Sequence, residues 1–256
     1  MSTAPDSDAI KSPTSSVIQP PPVSPPPPAK QTRNFSVSTR ITDVLADLGG
    51  IPAQRLLSGD TGQADIDELL QRHRSGNLCE LVDGHLVERA MGYRESLIAM
   101  MIGRFIIEFV ASRNLGMVSG PDGFFRLSPT LVRGPDVAFI SWDRLPDRKV
   151  PGEACPAIVP ELVVDVISEG NTRTEMTNKR REYFGRGVKL VWIVDPDERS
   201  VAVWHSINNF QVLDETQTID GGDVLPGLAI PLMDVFKVLN GPDEIPIEEL
   251  EKGTNQ

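Results

Sequence analysis

The segment Leu162-Val163-Val164-Asp165-Val166-Ile167 constrains this chain more than any other. It lies in a near-continuous apolar run, Glu161–Ser168, of the kind found in a central strand covered on both faces. Such a strand requires structure packed above and below it, yet this one carries a carboxylate in its middle. An ionised carboxylate buried without partners costs many kcal/mol, so Asp165 must be ion-paired, protonated, placed at a sheet edge or turned toward a metal ion.

The surrounding sequence supplies the covering layers. Thr39–Leu48 has helical spacing and stops at Gly49-Gly50, and Ala64–His73 is a second short helix with Asp65 as its cap. Leu78–Val82 and His85–Arg89 flank Asp83-Gly84, a strong hairpin signal. Glu95–Arg113 is a long helix apolar on nearly every side, which predicts burial all round. Strands are expected at Gly116–Ser119, Phe124–Leu127 and Val137–Ser141, with a turn at Pro121-Asp122-Gly123. After the central strand come a helix at Thr174–Gly185 and strands at Leu190–Val194 and Val201–His205. Phe210–Leu213 and Pro231–Leu239 close the domain as a strand and a short helix. The expectation is a mixed α/β (α+β) fold, a central mixed sheet flanked by helices.

That domain spans 39–240. Nine of the 22 prolines fall before residue 30, in a stretch without Gly or aromatic residues, so 1–38 reads as a disordered Pro-rich tail or, alternatively, a ligand for a Pro-recognition domain. Residues 241–256 form an acidic tail. The net charge of −11 argues against coating nucleic acid or an anionic membrane by bulk charge, but does not exclude a localised site. Cys79 and Cys155 lie in no ligand pattern, which argues against structural zinc and for a reducing compartment. The apolar stretch 96–112 is short for a membrane span and contains Arg104 and Glu108, and no secretory signal is visible. A cytoplasmic protein with no membrane partner is expected.

Asp136 follows Pro135 and opens the strand Val137-Ala138-Phe139-Ile140. If this strand neighbours the central one, the two carboxylates converge, and two carboxylates with waters and phosphate oxygens are the usual Mg²⁺ arrangement. In the following helix, Lys179 shares a row with Met176 and Tyr183, while Arg180 shares one with Met176 and Phe184. Periodicity does not choose between them, and Lys179-Arg180-Arg181 reads equally as a solvated charge run. Ser168 caps a turn, and Trp142, Trp192 and Trp204 read as core or rim residues. No phosphate-cradling loop, nucleophile elbow or dinucleotide fingerprint occurs.

In order along residues 78–205 stand CELVDGHL, a long helix, GPDVAFI, PELVVDVISEGNTR and KRREYFGRGVKLVWIVDPDERSVAVW. This succession resembles the Uma-two family, described as endonucleases of the PD-(D/E)XK, restriction-endonuclease-like superfamily. The resemblance implies a restriction-endonuclease-like core, with Asp136 as the Asp of the PD element. Asp165 stands where the family usually has Glu, one methylene longer. Ile167 stands where a Lys would be expected two residues on, so the resemblance implies a migrated lysine, Lys179. Glu80 matches an acid of the family's E-L-x-D-G element; a cross-strand role in the hairpin is the alternative.

The implied chemistry is Mg²⁺-dependent hydrolysis of DNA phosphodiesters, with Mn²⁺ as a substitute ion. Asp136, Asp165 and Glu80 would serve as metal ligands, and Lys179 would orient water or stabilise transition-state charge. A homodimer is compatible with cutting both strands. Two other readings stand beside it: an inactive nuclease-fold binding protein whose carboxylates and Lys179 form an internal ion-pair network, and a phosphodiesterase acting on RNA or a small nucleotide.

Overall fold

The computed structural model describes residues 40–57, 63–90 and 92–240; the two expected tails lie outside the described residues. The central strand is β7, Leu162–Val166, with every residue buried. Its alternation assigns its two faces. Leu162, Val164 and Val166 enter one core with the long helix α3, Tyr93–Arg113. Val163 enters another, with Met176 and Tyr183 of α4, Arg173–Arg186. Asp165 shares the parity of Val163 and so faces α4.

Six strands form the main sheet. They are β3 (Gly116–Ser119), β6 (Val137–Ser141), β7, β8 (Leu190–Asp195), β9 (Ser200–Trp204) and β10 (Phe210–Asp214), in the order β10-β9-β8-β7-β6-β3. Only β7 and β8 run parallel, and α4 provides their crossover; every other pair is antiparallel. A second sheet, ordered β2-β1-β5-β4, packs on the α4 side. Its strands are β1 (Cys79–Val82), β2 (His85–Glu88), β4 (Phe125–Ser128) and β5 (Leu131–Arg133). Asp83 and Gly84 join β1 to β2 with φ of 49° and 82°, the positive values that a two-residue type I′ turn demands.

Helices α1 (Ile41–Asp47) and α2 (Ile66–Arg74) form where expected, and the Asp65 carboxylate caps α2 by accepting from the Glu68 N–H. A hairpin of β11 (Thr218–Gly221) and β12 (Leu225–Pro231) was not anticipated from sequence. It packs with α5 (Leu232–Phe236) on the α3 side of the main sheet. The expected all-round burial of α3 is corrected. Ile98, Ile102, Ile106 and Val110 are buried, but Met100 is 70% and Ile107 49% exposed. The sheet covers one side of the helix only, and Arg104 and Glu108 keep the other side hydrated. Cys79 and Cys155 are buried free thiols. Among the described residues no helix is long and apolar enough to cross a membrane.

The entry into α4 is fixed from several directions. Thr172 and Glu175 form a reciprocal capping box. The Arg55 guanidinium grips the Glu175 carboxylate with two bonds of 2.8 and 2.9 Å and also donates to the carbonyls of Glu88 and Gly170. Burial pushes the Glu175 carboxyl up, but Arg55, Lys179 and Asn171 together outweigh it and hold the group below its ordinary value. Gly49 packs directly on this turn at φ +93°, and a Cβ there would lie 2.6 Å from the Glu175 nitrogen. Gly49→Ala is therefore expected to destabilise the fold by about 2 kcal/mol or more, from left-handed strain and backbone overlap together. Gly185→Ala, on the exposed side of α4 with nothing within 4 Å of the new methyl group, should stabilise by about 0.5–1 kcal/mol. Urea unfolding of both variants checks the pair.

Candidate active site

The register of β6 on β7 brings two acids together. Val137 pairs with Val164, and the Asp136 N–H donates to the Val164 carbonyl at 3.0 Å. One further step along this antiparallel pair sets Asp136 across from Asp165, on the same face of the sheet. Asp136 Oδ2 accepts from the Val166 N–H at 2.8 Å, and Oδ1 accepts from Arg89 at 2.9 Å. Arg89, just past β2, is also anchored by a bond to the Pro121 carbonyl.

Lys179 reaches the same place from α4. Its Nζ lies 3.8 Å from Asp165 Oδ1 and 3.4 Å from Glu80 Oε1. Arg180, the other residue that helical spacing allowed, turns away, and its guanidinium carbon sits 3.4 Å from the Trp204 ring centre. Trp204 also stacks on Phe210, while Trp192 is wholly buried. Within the basic run, Lys179 and Arg180 are thus committed to internal contacts, and Arg173, Arg181, Arg186 and Lys189 are exposed.

Glu80 comes from β1 and is 1% exposed. Leu81 pairs with Val132, so Glu80 lies across from Arg133 of β5, and Arg133 Nη1 donates to Glu80 Oε2 at 2.6 Å. The other oxygen accepts from the Gly134 N–H at 3.0 Å and faces Lys179. Arg133 also holds Glu182 of α4 at 2.6 Å. All four acids and bases expected from sequence thus converge. Arg89, Arg133 and Glu182 join them unanticipated, because Arg133 lies in a three-residue strand too short to show alternation.

Charge is unevenly balanced in this cluster. Four carboxylates (Glu80, Asp136, Asp165, Glu182) meet three cations (Arg89, Arg133, Lys179). Burial would raise the Glu80 carboxyl, but Lys179 and Arg133 overcome it and hold it down at about 2. Burial also opposes the Lys179 ammonium, yet Asp165 and Glu80 keep its affinity for the proton above the ordinary value. The aspartates respond the other way. Burial and then the charge of Asp165 push Asp136 up to about 6, against Arg89 and the Val166 N–H. Burial likewise raises Asp165, which is 3% exposed.

Asp165 Oδ2 and the Tyr183 hydroxyl are both buried without a hydrogen-bond partner. An orphaned carboxylate oxygen, beside a second carboxylate that repels it, fits a cation. Among the described residues no three His, Cys, Asp or Glu side chains form a metal cage by themselves. The donor set is the aspartate pair, which suits Mg²⁺, an ion that keeps water and phosphate oxygens as its remaining ligands. Glu80, offered by the resemblance as a third ligand, has Oε1 shared by Gly134 and Lys179 and Oε2 taken by Arg133, whereas each oxygen of Asp136 has a single partner.

The Uma2 family model, described as "Putative restriction endonuclease", matches residues 66–233. Among solved structures, a "putative nuclease belonging to DUF820" from Anabaena variabilis ATCC 29413 superposes with a TM-score of 0.60 at 19% identity, covering 69% of this chain and 99% of that one. At that identity the likeness speaks for the fold. No curated protein matches the chain.

The raised aspartates have a definite sign in stability. A proton held more tightly by folded Asp136 contributes stability below the ordinary carboxyl value of 3.8, and that contribution is lost as pH rises through about 6. Glu80 acts oppositely: its contribution is present above 4.5 and is lost as pH falls toward about 2. Asp136 is expected to titrate at about 6 in the metal-free protein, followed by its carboxyl carbon resonance. Asp165→Asn should move that midpoint part of the way toward 3.8, and an unmoved midpoint would show that burial alone sets it.

Proposed function

The chain belongs to the Uma2 family, and from that premise we propose that this nuclease-fold protein is a divalent-metal-dependent endonuclease hydrolysing DNA phosphodiesters, with Mg²⁺ or Mn²⁺ held by Asp136 and Asp165. The observation that carries the reading is the meeting of two mutually repelling, buried aspartates with a buried lysine at one end of the central strands. Four exposed basic residues on and after α4, Arg173, Arg181, Arg186 and Lys189, support contact with a phosphate backbone despite the net acidity. The two free buried thiols support a cytoplasmic setting.

A bound divalent ion supplies Lewis-acid polarisation of the phosphate and lowers the pKa of water at the site. The protein's own groups do the rest. The Val166 N–H and Arg89 fix both oxygens of Asp136, leaving little rotational freedom in the acid. Asp165 Oδ2 stays uncommitted and directed into the site. Lys179, kept protonated by Asp165 and Glu80, presents a cation to the negative charge that develops on the transferring phosphate. Glu80, tied down by Arg133 and Gly134, serves as the positioning partner of Lys179 rather than as a ligand of the ion.

The competing reading, an inactive fold stabilised by an internal ion-pair network, draws on the pairing of Lys179 with Glu80. The two readings diverge experimentally. A nuclease should lose about 10²-fold or more in Mg²⁺-dependent DNA cleavage on Asp136→Asn or Lys179→Ala. Calorimetric titration with Mn²⁺ should show one site that disappears in Asp136→Asn. Equal cleavage by wild type and variants would trace to a contaminant. Absent metal binding together with a large loss of stability in Asp165→Asn would sink the enzyme reading and favour the network.

A further inference from the structure

The main sheet ends at β10, and among the described residues β9 is its only strand partner. The phase of that pairing decides which backbone groups are used. The His205 N–H donates to the Asn209 carbonyl at 2.9 Å, so hydrogen bonds to β9 recur at Gln211 and Leu213. The N–H and C=O groups of Phe210, Val212 and Asp214 therefore point out of the sheet. Asp214 is closed off by its own turn: its N–H donates to Gln217 Oε1 at 2.9 Å, and its carbonyl accepts from the Gln217 N–H at 3.1 Å. Phe210 and Val212 keep two donors and two acceptors that no group among the described residues meets.

The same two residues carry exposed apolar side chains. Alternation puts Phe210 and Val212 on the α4 face of the sheet, beside Trp204 and Ala202 of β9, while Leu213 turns into the opposite core. Phe210 is 50% and Val212 58% exposed. The Phe210 ring stacks on Trp204, which in turn carries the Arg180 guanidinium, so the ring is held in place with one face open. Exposed edge strands are commonly blunted by a lysine, a proline or a bulge, and β10 has none of these. It has no cation either, which leaves a phosphate backbone nothing to hold.

We propose that β10 is a dimerisation edge, pairing antiparallel with β10 of a second copy about a two-fold axis through Gln211. This register sets Phe210 of each copy across from Val212 of the other. The four open groups of one copy then meet the four of the other in four hydrogen bonds, with none left over. On the α4 face each Phe210 gains a β-branched neighbour, a favourable cross-strand pair. Asp214, the only charge in the strand, falls across from Asn208 of the other copy, so the two Asp214 carboxylates lie at opposite ends of the junction. The open segment is thus its own complement in hydrogen bonding and in apolar cover, which is what an isologous contact requires. The pairing is independent of the nuclease reading.

The test follows the full chain by sedimentation and by amide hydrogen exchange as protein concentration rises. Doubling of the mass should be accompanied by protection of the Phe210 and Val212 amides, which only a strand arriving from outside the sheet can supply. Val212→Lys should weaken self-association by about tenfold or more, because the two-fold axis makes each copy lose a cross-strand pair. Val212→Thr, which keeps the branched carbon, should still dimerise, and both variants should keep the wild-type circular dichroism spectrum. A chain that stays monomeric with both amides exchanging fast overturns the inference. So does a doubled mass with both amides unprotected, or one that a folded Val212→Lys variant retains unchanged, since the contact then lies elsewhere. Protection in a monomer at every concentration assigns the edge to another segment of the same chain, and protection that appears only with an added oligonucleotide assigns it to nucleic acid. Either result also overturns the inference.

Discussion

The carboxylate of Asp165, set into the innermost strand, governs how the rest of the protein is arranged around it. A strand buried on both faces can hold an acid only if cations are brought to it, and the nearest available position is the helix crossing over from β7 to β8. Lys179 answers from that helix, but a buried lysine needs more than one acid at distances of 3.4 and 3.8 Å to remain charged. Glu80 supplies the second acid, and Arg133 then balances Glu80 and Glu182. Each buried charge thus demands the next, and the second sheet is bound to the first by this chain of demands as well as by apolar contact.

Such a network requires a rigidly entered helix, since an error of about 1 Å at the start of α4 would separate Lys179 from both acids. The grip of Arg55 on Glu175, the Thr172 capping box and the close approach of Gly49 meet that need. They draw on residues more than a hundred positions apart, so the geometry of the acid cluster is held from outside the cluster itself. Asp136 is fixed in a parallel way by Arg89 and a backbone N–H, whereas Asp165 Oδ2 has no such restraint. The uneven satisfaction of two adjacent acids sets this place apart from a purely structural ion pair, in which both partners would be saturated.

Features that depend on short-range pattern were legible in the sequence. The apolar run of β7, the Asp83-Gly84 turn and the α4 crossover follow from local residue choice, whereas the pairing order of the strands, β5 and the β11–β12 hairpin do not. The convergence of Glu80, Asp136, Asp165 and Lys179 came from the ordered family resemblance, and the structure brings the four together. Three things were hidden. Lys179 and Arg180 have equivalent helical spacing, and only the distant Trp204 draws Arg180 aside. Arg133 belongs to a strand of three residues whose partner is some fifty positions away, beyond any periodicity. The half-exposure of α3 depends on how far the sheet extends beneath it, and an all-round apolar sequence cannot convey that.

The net charge of −11 and a phosphodiester substrate look incompatible until the charge is resolved in space. The acid cluster carries four carboxylates against three cations, so ionised in full it is negative by one and repels phosphate. A divalent ion between Asp136 and Asp165 would reverse that sign to positive by one and would displace the protons that burial favours on them. Under this proposal the site would attract phosphate only when loaded. The ion would then act as the electrostatic gate for the substrate as well as the source of Lewis acidity. Under the same proposal, the exposed basic residues of α4 and one metal-dependent point would supply local attraction to a phosphate backbone in a protein whose net charge opposes indiscriminate binding.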